Sequence, residues 1–477
     1  MLPHNKNALE GEMPKDAAYI HPYIPNTSPA ARRRLLDAVG VASAADLYDA
    51  VPAALKLKRP LDLPPPIASE HALRKHVEGI LAKNRSCAEL LNFRGAGCWQ
   101  HYVPAICDEI NRRGEFLTAY AGWSYSDHGK LQAIFEYQSL IGELVGLDVV
   151  STPTYDMGAA ADSAVAMACR LTGRKQVLVP ASMDRARLSQ LRGFTKPFAD
   201  VIEIAIDRKT GELDRKDLAA RLSAGTAAVY LEVPSSLGIV DGGAPDIVKR
   251  AHAKGALAIV GVDPSTLGVL EAPGNYGADL VVGELQPLGM HMNGGGGQAG
   301  FIASRDEPRF VDEYPSFLIS LTQAPESGAF GFGVGTLDRT SYHKRHAATD
   351  YYGTTQWLWG ITAGVYLSLM GPQGMRELGE GIIQRAAYAA ERLGRLKGVK
   401  APLFSGAFFK EFVVNFDRTG KTVAAINKRL LRQGIIGGKD LSHAFPALGQ
   451  SALFCVTEIH DRADIDRLAA ALKEVLS

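Results

Sequence analysis

The sequence has 477 residues, enough for two or three domains, and 46% of them are hydrophobic, so a large core can be buried. Its 52 basic and 51 acidic residues nearly cancel, which argues against a nucleic-acid or anionic-membrane surface. Five cysteines without a CxxC pair argue against a disulfide framework or zinc site and fit a reducing compartment. No apolar run reaches the roughly 18 residues of a membrane span, and Met1–Lys15 does not resemble a targeting signal. We therefore expect a cytoplasmic protein.

Residues 1–94 are predicted to form a mostly helical N-terminal extension. Ser28, followed by a proline, is typical of a helix start, and that helix should end near Gly40. Ser43 and Ser69 are placed to cap a second and a third helix. The extension is therefore expected to be local helical structure that precedes the main fold.

Residues 95–345 are predicted to form a large α/β domain, because short apolar strands alternate with helices. This alternation is typical of a mostly parallel sheet that is covered on both faces. Helices are predicted at Ile134–Leu147, Ala159–Leu171 and Ala244–Lys254, and strands at Val177–Val179, Val201–Ile206, Ala227–Val233, Leu257–Val262, Leu280–Val282 and Gly300–Ala303.

Residues 346–477 are predicted to form a smaller α+β domain. A long helix should begin near Gln356 and be interrupted at Gly371-Pro372, after which a second helix continues. Strands are expected at Phe409–Phe416 and Leu453–Thr457, on either side of a helix at Thr422–Gln433. A helix should close the chain.

Several common chemistries are excluded by their missing motifs. There is no GxxxxGK[ST] loop, HExxH or GxSxG, and no GxGxxG opens a βαβ unit. Gly331–Gly335 has the wrong spacing for a dinucleotide site and follows no clear strand. His343 and His346 lie in a basic segment and are interpreted as surface or interface residues, not metal ligands.

Two loops leave open whether they bind a ligand. The glycine loop, Gly294 to Gly297 (Gly294, Gly295, Gly296, Gly297), is either a tight strand connection or a place where backbone approaches a cofactor or partner chain. Tyr155-Asp156, followed by Gly158, is a strand-to-helix turn that could hold a phosphate or simply cap the helix.

Strings along nearly the whole chain resemble one family. They include Leu57–Pro64, Gly95–Gly97 with His101–Ala105, Phe116–Tyr120, Leu131–Gln138, Tyr276–Glu284, Val365–Pro372, Glu411–Val414 and Cys455–Glu458. In this order they resemble the P-protein of the glycine cleavage system. The match is to the α subunit of the two-subunit bacterial form.

The resemblance implies a fold type I PLP-dependent transferase architecture. It also implies a heterotetramer of two α and two β chains, in which the β subunit carries the Schiff-base lysine for pyridoxal 5'-phosphate. Such an enzyme decarboxylates glycine and passes the aminomethyl group to the lipoylated H-protein. As an α subunit, the isolated chain is expected to be inactive.

The position of the Schiff-base lysine tests this expectation. That lysine should follow the strand Leu280–Val282 and precede the glycine loop, yet no lysine occurs between Lys254 and Lys344. Asp263 follows the preceding strand, where the fold class places the carboxylate that faces the pyridine nitrogen. Without the lysine, a structural Asp-Pro turn is the favoured interpretation of Asp263.

Two regions depart from the family pattern, at residues 121–128 and 347–357, while the framework strings are retained. The change indicates an altered substrate, an altered partner or ordinary divergence. A PLP-dependent heteromer acting on another amino acid or amine, or a non-catalytic scaffold, therefore stays an alternative. His128 could titrate near neutral pH or be a plain surface histidine. The residues carried over as near the substrate or cofactor are His101, Tyr102, Tyr120, Trp123, His128, Tyr155, Asp156, Arg345, Thr354 and Gln356.

Overall fold

The computed structural model describes residues 23–59, 61–117, 124–335, 339–348 and 356–477. The chain divides into two compact units, Met1–Asn84 and Arg85–Ser477. The predicted domain boundaries after residues 94 and 345 stay predictions. In the part of the chain described here, no helix combines the length and the apolar character that a membrane crossing requires.

The first unit contains the helices α1 (Pro29–Val39) and α2 (Glu70–Leu81), and none of their residues is buried. The predicted starts and stops are confirmed. Ser28 accepts a hydrogen bond from the N–H of Ala31, and Gly40 ends α1 in the left-handed conformation. Ser69 caps α2 in the same way as Ser28 caps α1.

The second unit begins with a short strand and two helices, and then alternates strands and helices. The elements in chain order are β1 (Leu91–Asn92), α3 (Ala105–Asn111), α4 (Ser124–Val145), β2 (Val149–Val150), α5 (Met157–Thr172), β3 (Gln176–Pro180), α6 (Arg185–Thr195), β4 (Asp200–Ile204), α7 (Arg215–Arg221), β5 (Thr226–Val233), α8 (Ala244–Ala253), β6 (Leu257–Val262), β7 (Leu280–Glu284), β8 (Gly300–Ser304), α9 (Pro308–Val311), β9 (Ile319–Gln323), β10 (Phe330–Val334), α10 (Trp357–Gly394), β11 (Glu411–Asn415), α11 (Val423–Arg432), β12 (Ile435–Ile436), β13 (Lys439–Asp440), β14 (Ser451–Cys455) and α12 (Arg462–Leu476).

A seven-stranded sheet in the order β2-β8-β7-β6-β5-β3-β4 organises the large lobe. Strands β3 to β7 are parallel to one another, and β8 is antiparallel to both β7 and β2. Every residue of β5, β6 and β7 is buried, as expected for near-continuous apolar strands covered on both faces. The predicted mostly parallel α/β fold is confirmed.

The segment that contains Gly331–Gly335 differs from its prediction. Phe330–Val334 is itself a strand, paired antiparallel with Ile319–Gln323 in a hairpin. Phe330, Phe332 and Val334 recur at every second position, the period of a strand, which the intervening glycines obscure in the sequence.

The small lobe consists of the sheet β11-β14-β13 with helices α11 and α12. Its core includes Phe412, Phe454 and Leu468, and part of α10 packs on it. The interruption predicted within the long helix lies at Gly371, whose φ of 60° and ψ of −178° belong to a region that only glycine occupies readily. Strand β1 pairs in parallel with β12.

Candidate functional site

Three carboxylates meet where adjacent parallel strands of the large sheet end. Glu232 lies near the end of β5, Asp263 directly follows β6, and Glu284 is the last residue of β7. All three line one cavity of about 280 Å³, together with the first residues of α5. Open α/β sheets bind ligands at this edge, so the cavity is the candidate site.

A lysine from the small lobe also lines this cavity. The Nζ of Lys410, just before β11, lies 2.6 Å from Oδ2 of Asp263, and both side chains are almost fully buried. The same Nζ lies 3.4 Å from Oγ of Ser265 and 3.7 Å above the ring centre of Trp99. Burial opposes ionisation of Asp263, but the ammonium outweighs it, so the pKa of Asp263 is lowered.

A histidine links Lys410 to a further carboxylate. The Nε2 of His101 lies 3.0 Å from Lys410 Nζ, and its Nδ1 lies 2.8 Å from Oε2 of Glu458. Because an ammonium can only donate, Nε2 accepts from Lys410, which leaves Nδ1–H to donate to Glu458. Burial would raise the pKa of Glu458, but the hydrogen bonds from His101 and from the Tyr102 N–H outweigh burial and hold that pKa at about 2.

Glu284 satisfies three backbone donors from separate segments. It accepts hydrogen bonds from the N–H groups of Met157 (3.1 Å), Gln286 (3.2 Å) and Ala299 (2.9 Å). Burial raises its pKa to about 8, and these hydrogen bonds offset only part of that effect. The carboxylate therefore joins the end of β7, the start of β8 and the start of α5.

The N-terminus of α5 carries a second carboxylate. Asp156 precedes the helix and accepts a hydrogen bond of 2.7 Å from the N–H of Ala159. Of the two interpretations of this turn, helix capping is the one that these contacts support. Gly158 is confined, since a Cβ there would lie 3.1 Å from Oε1 of Gln190.

A further ion pair lines the cavity, between a partly buried arginine and a buried glutamate. Arg187 contacts Glu232 at 3.0 Å and Ser236 at 2.9 Å. Tyr230 and Ser236 both donate to Glu232, at 2.9 and 2.7 Å. Burial alone would lower the pKa of Arg187, but Glu232 outweighs it and the pKa is raised, so this cation stays charged.

Comparisons with known proteins show the family of this chain. The profile of the family described as glycine cleavage system P-protein matches residues 21–472. The chain belongs to this family. A relative from Aeropyrum pernix, named probable glycine dehydrogenase (decarboxylating) subunit 1, is 37% identical over 96% of this chain and 99% of its own length.

Two further comparisons agree on the P-protein family. A relative of the same name from Staphylothermus marinus is 35% identical over 96% of this chain and 98% of its own length. A crystal structure of glycine decarboxylase (P-protein) of the glycine cleavage system, in inhibitor-bound form, is 32% identical, with a TM-score of 0.84 over 96% of this chain and all of that one. The predicted fold type I architecture of PLP-dependent enzymes is confirmed.

The cavity of this P-protein chain does not fit pyridoxal phosphate, the cofactor associated with its fold. No lysine lies between β6 and β8 to form a Schiff base. Asp263, which would face the ring nitrogen, is already paired with Lys410. The N–H of Met157, at the start of α5, already donates to Glu284.

The other carried-over residues lie at several places. His101 belongs to the buried network, while Tyr102 beside it is exposed and donates its backbone N–H to Glu458. Tyr155 is half-exposed. His128 accepts a hydrogen bond of 2.9 Å from the N–H of Phe332, in the β9–β10 hairpin and away from the cavity.

The remaining candidates do not line the cavity or are not described. Gly294 and Gly295 have positive φ in a short turn between β7 and β8. Arg345 has a φ of 52° within a short 3-10 helix, and Gln356 immediately precedes α10. Tyr120, Trp123 and Thr354, which complete the candidate set, lie outside the described residues.

Three charged residues of the cavity were not predicted from the sequence: Lys410, Glu284 and Arg187. Lys410-Glu411 stands inside the apolar run of a predicted strand, and a charged pair in such a run is a signal of buried, paired charge. Glu284 ends a fully apolar strand and carries the same signal. Arg187 gives no such signal, because α6 also carries Arg185 and Arg192 and nothing in the sequence distinguishes Arg187 from them.

Proposed function

We propose that this chain is the α subunit, without a Schiff-base lysine, of a two-subunit, cytoplasmic, PLP-dependent glycine decarboxylase. In the assembled enzyme a β subunit holds the cofactor through its own lysine, and the aminomethyl group passes to a lipoylated carrier of the H-protein type. The proposed assembly is a heterotetramer of two α and two β chains.

One observation carries the proposal. The chain matches relatives named subunit 1 over nearly its whole length, yet no lysine lies between Lys254 and Lys344 and the cavity is completed by its own charges. A chain with this framework and this cavity needs a partner to supply the cofactor. An α subunit meets that requirement.

Within this assembly the chain would contribute exposed side chains, and the lysine that binds the cofactor covalently would come from the β subunit. Tyr102 and Tyr155 are exposed large side chains next to His101 and Asp156, which belong to the buried network and to the start of α5. We propose that these two tyrosines face the β subunit or the substrate at its cofactor. The cofactor itself would supply stabilisation of the carbanion when glycine loses its carboxyl group.

The test is reconstitution with the β subunit encoded by the same genome. The assembled pair, with PLP and a lipoylated carrier, should exchange the carboxyl carbon of glycine with labelled bicarbonate. Each subunit alone is the control and should show no exchange. Exchange by the α chain alone, or a purified pair that exchanges another amino acid and not glycine, would contradict the proposal.

The two tyrosines are tested in the same assay. Tyr102→Ala and Tyr155→Ala should lower exchange at least ~10-fold while the pair still co-elutes in gel filtration. His128→Ala is the matched control, since His128 contacts the β9–β10 hairpin and not the cavity. Unchanged exchange in both tyrosine variants would remove them from the site.

A further inference from the structure

The cavity presents two places that could hold an aromatic ring and a phosphate. One is Asp263 at the end of β6, and the other is the N-terminus of α5, a helix of 16 residues whose first N–H groups favour an anion. Both border the same cavity. The chain fills each of them with one of its own side chains.

The first place is taken by the ammonium of Lys410. It pairs with Asp263, and it also contacts the Ser265 hydroxyl, the His101 imidazole and the face of Trp99. These contacts use its donors and leave it almost completely buried. A second cation, such as a pyridinium nitrogen, could reach Asp263 only by displacing Lys410.

The second place is taken by Glu284. Its carboxylate accepts the N–H of Met157 at the start of α5 and two further N–H groups, of Gln286 and Ala299. Asp156 takes the N–H of Ala159 in the same turn. Two of the N–H groups that an incoming phosphate would use, those of Met157 and Ala159, are therefore already paired.

We propose that Lys410 and Glu284 are internal occupants of this cavity, which stand where the ring nitrogen and the phosphate of a pyridoxal-type cofactor would be held. They exclude the cofactor from this chain independently of the missing lysine. This inference rests on the proposed function only in naming PLP as the cofactor of the assembled enzyme. It concerns binding by this chain and not turnover.

Pyridoxamine 5'-phosphate separates the two causes of exclusion, because it has the ring and the phosphate but forms no Schiff base with a lysine. Its binding to the purified chain can be followed by calorimetric titration. The unsubstituted chain should show no saturable binding up to about 1 mM. Glu284→Ala and Lys410→Ala should each bind saturably, at least ~10-fold more tightly than that limit, and the double variant more tightly still.

Two matched control variants preserve the interactions that Glu284 and Lys410 make in the cavity. Glu284→Gln retains an acceptor for the Met157 N–H, and Lys410→Arg retains a cation beside Asp263, so neither should gain binding. Asp241→Asn, which removes a paired and buried carboxylate outside the cavity, controls for general loosening. Circular dichroism selects the folded variants, and either single alanine variant suffices if the double variant does not fold.

Three results would overturn the inference. One is saturable micromolar binding by the unsubstituted chain. Another is a PLP adduct on Lys410 after borohydride reduction, found by peptide mass mapping. The third is a folded alanine variant that binds no more tightly than its control. Failure of glycine exchange by the reconstituted enzyme would affect the proposed function and leave this inference standing.

Discussion

Replacing Lys410 by methionine isolates the contribution of one buried charge. Methionine keeps an unbranched side chain of similar length against Trp99 but removes the ammonium that lies 2.6 Å from Asp263. The carboxylate of Asp263 then stays buried without a cation. The small lobe, which supplies Lys410, also loses one of its charged contacts with the large lobe.

The expected cost follows from that geometry. Removing one partner of a buried ion pair typically destabilises a protein by about 3–5 kcal/mol. In Asp263→Asn the amide oxygen can still accept the Ser265 N–H, so the change mainly removes charge. The double variant Lys410→Met/Asp263→Asn should be less destabilised than the sum of the two single variants, with a coupling of roughly 2–3 kcal/mol.

The stability cost of Lys410→Met should depend on pH in a direction that can be predicted. Without the ammonium, only the Ser265 hydrogen bonds and His101 oppose the effect of burial, so we expect the pKa of the Asp263 carboxyl to rise above the unfolded value. A raised carboxyl pKa favours folding at low pH, and this contribution is lost as pH rises through the folded pKa. Lys410→Met should therefore be closer in stability to the parent at pH 5 than at pH 8.

The assay is urea unfolding at both pH values, followed by tryptophan fluorescence, since Trp99 lies directly under Lys410. The four proteins of the double-mutant cycle are measured together. A cost below about 1 kcal/mol for Lys410→Met, or a coupling near zero, would refute the claim that this pair joins the two lobes.

Three further substitutions test other parts of the site. Burial raises the pKa of Glu284 from 4.5 to about 8, so the stability that its protonated form contributes is lost as pH rises through that range. The stability of Glu284→Gln, measured by thermal unfolding, should therefore increase relative to that of the parent between pH 5 and 8. Asp156→Ala should cost about 1 kcal/mol by removing the cap of α5, whereas Asp156→Asn should cost less, both measured by urea unfolding. Gly238→Ala should abolish soluble expression or strongly lower the midpoint of thermal unfolding. The added Cβ would lie 2.0 Å from the carbonyl oxygen of Glu411, and residue 238 has a φ of +84°. Gly242→Ala is the control and should have neither effect, because there is open space around Gly242.

Local pattern was sufficient for most of the fold. Helix starts at Ser28 and Ser69 depend on a capping side chain and the next three residues, and both are as predicted. The buried strands β5 to β7 are mostly apolar, with Thr226, Glu232 and Glu284 as exceptions, and this run of apolar residues identifies them without tertiary information. The β9–β10 hairpin was missed because its glycines hide the period of two.

The missing lysine was also determined by the sequence alone, since absence from a segment needs no structure to observe. Tertiary structure decided what stands in its place. Lys410 contacts a histidine 309 residues away in the sequence, and that histidine contacts Glu458 across 357 residues. Local pattern extends over a few turns of chain, while a buried charge is satisfied by whichever group the packing of two lobes brings within about 3 Å. The sequence therefore determined that this chain has no covalent anchor for a cofactor, and only the fold decided that its cavity is completed by its own charges.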